Sequence, residues 1–85
     1  MSVFFTREMM RADIAAAIHT QPEEVGDDDN LMDLGLDSMR ALNLVLLWQE
    51  RGVTLDFSEL AEEVTLSGWW AVSERHLHRQ REAAA

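Results

Sequence analysis

The stretch DLGLDSMRAL, Asp33 to Leu42, decides how the rest of the chain is read. A glycine, an acidic residue and a serine precede an apolar run, which is the pattern of a helix start. Either Asp37 or Ser38 can supply the side-chain oxygen that caps such a helix. Two readings of Ser38 are then open. It is a cap and nothing more, or its hydroxyl stands exposed at a helix N-terminus, where the dipole and the free N–H groups favour an attached phosphate. The helix continues through MRALNLVLLWQER to a stop at Gly52, with Arg51 suitably placed in the last turn. Its segment ALNLVLLW, Ala41 to Trp48, is apolar nearly all round, where a surface helix of a monomer shows a polar stripe. One face is expected in the core and another toward a partner.

Working outward, Thr6 can cap a first helix in which Met10, Ile14, Ala17 and Ile18 fall at helical spacing. That helix should end near Thr20, because Pro22 disfavours helical geometry at Gln21. From Gln21 to Asp37 no period is sustained, and Pro22, Gly26, Gly35 and the acidic run EEVGDDDN mark a long loop, with Leu31, Met32 and Leu34 expected to pin it to the core. Loops of this length in small domains are more often functional or disordered than idle. Beyond Gly52, VTL reads as an extended connector. DFSEL carries a capping-box-like pair, Asp56 and Glu59, and starts a short helix to about Glu63. Thr65 can cap the last helix, in which Leu66, Trp69, Trp70 and Leu77 supply apolar contacts and EAAA is expected to fray. The expected architecture is all-α: a small four-helix bundle of three main helices and a short third one, with a long first loop.

The 85 residues allow a single domain, 1–85, and 47% apolar content supplies a core that needs no metal or disulfide staple. With no cysteine, disulfides, thiolate zinc sites and a thiol nucleophile are excluded. The formal net charge of -9 repels phosphate backbones and anionic lipid, so nucleic acid and membrane are not expected partners. MSVFFTREMM has no basic leader before a long apolar core, and no apolar run approaches the roughly 18 residues of a membrane span; a cytoplasmic monomer is expected.

Intrinsic catalysis is not expected. A nucleophilic serine needs a base oriented by a third group, and His19, His76 and His78 all lie far from Ser38 in sequence. His76 and His78, two apart on a helix, point to different faces, which suits solvated histidines rather than a metal pair. DDDNLMD has Leu31 and Met32 where a calcium loop needs an oxygen ligand and a glycine, so no metal site is assigned. The acidic run and the basic RHLHRQR read as solvated faces. Trp69 and Trp70 are turned about 100° apart on one helix, so at least one borders the surface, as core rim or as partner contact.

Gly35, Leu36, Asp37 and Ser38, preceded by NLMDL, resemble the signature of the phosphopantetheine-dependent carrier proteins of fatty acid, polyketide and nonribosomal peptide synthesis. In that family the serine opens the second of four helices. The resemblance covers nearly the whole chain. It is closest to the aryl carrier proteins of siderophore assembly, often fused to isochorismatase, through Arg40, Trp48, Asp56 with Phe57, and Trp69 with Trp70. A free-standing chain departs from the fused pattern, so no isochorismatase activity is carried over.

The resemblance implies that Ser38 takes phosphopantetheine from coenzyme A by way of a phosphopantetheinyl transferase. An aryl-acid adenylating ligase then loads the thiol with an aromatic acid, and a downstream condensation enzyme removes it. It further implies that transferase and ligase meet Asp33, Leu36, Asp37, Met39 and Leu42, and that the downstream enzyme meets Leu42, Phe57 and Ala61. Other readings are a polyketide acyl carrier, an aminoacyl carrier, or an unmodified acidic module whose ALNLVLLW segment binds a partner helix.

Overall fold

The computed structural model of the protein describes residues 5–84, with side chains for residues 5–79. Residues 1–4, part of the stretch in which no targeting leader is expected, and residue 85 lie outside the described residues. The elements are α1 (Arg7–Ala17), α2 (Ser38–Glu50), α3 (Phe57–Glu62) and α4 (Leu66–Ala84), with a 3-10 turn at Pro22–Glu24 and no strand among the described residues. This is the expected small all-α bundle. α1 packs on α2 and α4, and α3 on α4. No helix among the described residues is long and apolar enough to cross a membrane.

Each helix start follows from a side-chain oxygen in the sequence. Thr6 accepts from the Met9 N–H at 3.2 Å, Asp37 from the Arg40 N–H at 2.8 Å, and Thr65 from the Gly68 N–H at 3.0 Å. At α3 the capping box does not form. Asp56 accepts from both the N–H and the hydroxyl of Ser58, while Glu59 turns to Arg75 at 3.4 Å.

The ends of α1 and α2 share one device. Past α2, the Gly52 N–H reaches the Gln49 carbonyl and the Val53 N–H the Trp48 carbonyl, with Gly52 at φ 93. α1 closes in the same way, with His19 N–H on Ala16 O and Thr20 N–H on Ala15 O, but the left-handed residue is His19 at φ 58. The helix therefore stops at Ala17, before Pro22 can act. α4 runs to Ala84, through most of the EAAA end marked for fraying.

Trp48 and Trp69, both within 2% of full burial, meet edge to face at 6.1 Å in the middle of the core, with Met10, Ile14, Leu31, Leu60 and Leu66 around them. Their polar ends are satisfied. Trp48 Nε1 donates to Asp13 Oδ2 at 2.9 Å, an oxygen that also accepts from Arg51, and Trp69 Nε1 donates to the Leu60 carbonyl at 2.9 Å. Trp70 is the rim residue, half-buried against Phe5. His76 is not simply solvated: its Nε2 accepts from the Thr54 N–H at 3.3 Å and holds the connector between α2 and α3 against α4.

The first loop is anchored differently from the sequence expectation. Leu31 is buried, but Met32 and Leu34 are exposed, and Val25 and Leu36 take their place in the core. Two backbone bonds fix this choice: Leu31 N–H to Val64 O, and Ser67 N–H to Asp27 O, each 2.9 Å. The acidic run is more than a solvated face, because Asp27 pairs with Arg7 and Arg11 of α1.

The hydrogen bonds from the Ser58 hydroxyl and N–H hold the Asp56 carboxyl below the usual carboxylate range. Its pKa is lower folded than unfolded, so the cap stabilises above the unfolded value and that contribution is lost as pH falls through the folded one. Asp56→Asn is accordingly expected to cost stability near neutral pH, and the cost is expected to shrink as pH falls through and below the ordinary carboxylate range. Urea unfolding of both proteins across that range checks it; a constant difference would contradict it.

Candidate functional site

The site is built from the last turn of the first loop and the first turn of α2. Asn30 Oδ1 accepts from the Met32 N–H at 2.8 Å, which bends the chain back on itself. The Gly35 N–H then reaches Met32 O at 3.2 Å and the Leu36 N–H reaches Leu31 O at 3.0 Å, the same closure that ends α1 and α2. It requires a left-handed residue, and Gly35 supplies it at φ 115. Leu36, 3% exposed, plants the turn in the core. Asp37 follows in extended conformation and caps α2.

Ser38 is the first residue of α2 and is exposed. Since Asp37 provides the cap, the serine hydroxyl is spare, and no group among the described residues hydrogen-bonds to it. The N–H groups of Ser38 and Met39 likewise have no acceptor there, as expected in a first helical turn. An exposed hydroxyl beside unsatisfied amides at the positive end of a helix fits a phosphodiester, whose oxygens those amides can receive. Among the described residues no histidine or carboxylate is bonded to the hydroxyl, so these residues build no nucleophile–base pair with it. Among the described residues no group of three or more His, Cys, Asp or Glu could hold a metal.

Around the serine, Met39 (73% exposed), Leu42 (47%) and Leu46 (51%) form one stripe along α2 at i, i+3 and i+7. Phe57 and Ala61 are exposed on one face of α3, one turn apart. Asp33 is exposed, and its carboxylate has no partner among the described residues; Asp37 is exposed and engaged by Arg40. Leu36 stands apart from the other residues expected at a partner surface. It is a core residue that fixes the loop, because the turn at Gly35 points its side chain inward.

Sequence reasoning missed Leu46, although its spacing from Met39 and Leu42 carried the signal. It also missed the bonds of Arg40, which the i,i+3 relation to Asp37 could have suggested. A further open groove of about 450 Å³, lined by residues including Asp13, His19, Arg40 and Leu47, lies between α1 and α2. Its Leu47 wall is about half a turn round α2 from Ser38, and Arg40, bonded to the turn before the serine, is the residue the groove shares with this site.

Residues 10–71 match the family described as "Phosphopantetheine attachment site". The chain is 42% identical over 65 residues to an isochorismatase of Bacillus subtilis (strain 168), covering 76% of this chain and 21% of that protein. It is 40% identical over 65 residues to the acyl carrier protein ScoB of Streptomyces coeruleorubidus, covering 76% of each. It is 33% identical over 85 aligned residues to enterobactin synthase component B of Escherichia coli (strain K12), covering 88% of this chain and 30% of that protein. The chain thus spans about a fifth of the first and under a third of the last, but three quarters of the second. No solved structure gives a significant match.

Proposed function

The chain belongs to the phosphopantetheine-attachment carrier proteins, and from that membership we propose that Ser38 is the residue to which the group is joined. The protein is a carrier without catalytic activity of its own, and its cofactor is phosphopantetheine. One observation carries the assignment to Ser38: the hydroxyl is exposed, spared from capping by Asp37, and set among free amides at the start of α2. The chain's part in attachment is to present that oxygen. The hydroxyl loses its proton to a base of the transferase, and the Oγ–P ester forms as the pyrophosphate link of coenzyme A breaks and adenosine 3′,5′-bisphosphate leaves. When attached, the group supplies a terminal thiol that holds an acyl group as a thioester.

The acyl group we assign is an aromatic acid, and the setting is nonribosomal peptide or siderophore assembly. Arg40, Trp48, Asp56–Phe57 and Trp69–Trp70 stand as in aryl carriers, and the similarity to enterobactin synthase component B and to an isochorismatase supports the same reading. In this reading the phosphopantetheinyl transferase and an aryl-acid adenylating ligase dock around Asp33, Asp37, Met39 and Leu42. The condensation enzyme docks on Leu42, Phe57 and Ala61, which together expose the apolar surface such contacts need. Similarity to the acyl carrier protein ScoB over 76% of both chains favours a second reading, in which the cargo is a different acyl group.

Loading separates the two. The phosphopantetheine-bearing protein is offered salicylate, dihydroxybenzoate and aminobenzoate with aryl-acid ligases, and amino acids and malonyl groups with their own activating enzymes. The expected result is a thioester mass with an aromatic acid alone. A thiol left free by every aryl-acid ligase and filled by an amino acid or malonyl group contradicts the aryl assignment.

A further inference from the structure

Arg40 lies two residues beyond Ser38, and its guanidinium turns back toward the loop. Nη1 donates to the Gly35 carbonyl at 3.3 Å and to Asp37 Oδ2 at 3.2 Å, while the backbone N–H of the same residue donates to Asp37 Oδ1 at 2.8 Å. One side chain thereby bridges the left-handed turn before the serine and the cap immediately next to it. The Gly35 carbonyl receives no backbone N–H, so Arg40 is its partner. The three bonds span Gly35 to Arg40, the segment that carries the hydroxyl.

We infer that Arg40 is a positioning residue for phosphopantetheine attachment: by tying the Gly35 carbonyl to the Asp37 cap, it holds the turn in the one arrangement that presents the Ser38 hydroxyl. The inference rests on the assignment of attachment to Ser38. Arg40 acts before the transferase arrives, by keeping the competent turn populated. Its pair with Asp37 is open to solvent, with side-chain exposures of 44% and 57%, and exposed pairs of this kind add little to global stability. Leu36 anchors one side of the turn in the core, and the capped helix anchors the other. What Arg40 adds is the link across the carbonyl between them. A turn that is only fractionally in its competent form weakens apparent binding by that fraction, and the partner restores the arrangement once bound.

Three proteins test it: wild type, Arg40→Ala and Arg40→Lys, the last retaining a single cationic donor in place of Nη1. With a broad-specificity transferase, magnesium and coenzyme A, Arg40→Ala is expected to raise KM for the carrier about tenfold and to leave kcat within about twofold. In the free protein, with no partner present, the Gly35 and Leu36 amides of Arg40→Ala should exchange with solvent about tenfold faster, while the Trp48 amide is unchanged. Arg40→Lys should return both readouts most of the way to wild type. Gly35 and Leu36 amides that exchange in Arg40→Ala as in wild type would overturn the inference, as would an unchanged KM or a lysine variant no better than alanine. A wild-type chain that takes no phosphopantetheine at Ser38 would instead defeat the attachment assignment and with it any role in attachment. The exchange measurement reads the hold of Arg40 on the turn separately.

Discussion

Ser38→Ala is expected to abolish phosphopantetheine attachment completely while the protein stays folded. The hydroxyl makes no hydrogen bond to any described residue, and the cap it could have supplied comes from Asp37, whose Oδ1 accepts from the Arg40 N–H at 2.8 Å. Alanine is a better helix former than serine and leaves that cap in place, so the change in stability should stay within about 0.5 kcal/mol. Asp37→Ala, by contrast, removes the cap and should cost about 1 kcal/mol. Intact mass after incubation with coenzyme A, magnesium and transferase reads the first effect, and thermal unfolding followed by circular dichroism reads the second. A Ser38→Ala protein that still gains the group would place the attachment elsewhere. One that unfolds would mean that the serine holds the fold.

Among the residues of the turn and helix start around Ser38, the largest loss of stability is expected at Leu36. Only 3% exposed, it is the plug by which the turn before the serine enters the core, and truncation to alanine leaves a cavity that the capped helix and the Gly35 turn cannot close. Large-to-small changes at such sites cost about 2–5 kcal/mol, a sizeable share of the roughly 5–15 kcal/mol that holds a small domain together. Leu42, 47% exposed on α2, gives the comparison, and Leu42→Ala should cost less than about 1 kcal/mol. Denaturant unfolding of the two variants measures the contrast. Equal losses would contradict the division of the DLGLDSMRAL segment into one residue that faces the core and another that faces a partner.

That division also shows where the sequence was legible. Thr6, Asp37, Asp56 and Thr65 could be read as caps because an N-terminal cap is a local bond, made within three residues of the side chain that supplies it. The stop at Gly52 was equally local. His19 was not readable as a stop, since left-handed backbone at a histidine leaves no mark of the kind a glycine does.

The loop anchors failed for a different reason. Between Asn30 and Asp37 no period exists to say which apolar side chain turns inward, and the deciding contact is the bond from the Leu31 N–H to Val64 O, far along the chain. Hence Met32 and Leu34 were expected inside and Leu36 outside, the reverse of their places. On α2 the two apolar faces were foreseen, but a segment apolar all round hid which residues belonged to each, and Leu46 escaped notice. Ser38 itself was legible through its neighbours: a glycine for the turn, an aspartate for the cap, and a helix to follow.

Locating the attached group decides whether Ser38 carries it. Wild-type protein is modified with coenzyme A and a broad-specificity transferase, digested, and fragmented by tandem mass spectrometry alongside a carrier known to accept the group. One phosphopantetheine per chain, on Ser38, is the expected result. A group found instead on Ser58, Ser67 or Ser73, or an unchanged mass while the control carrier is modified, would contradict it.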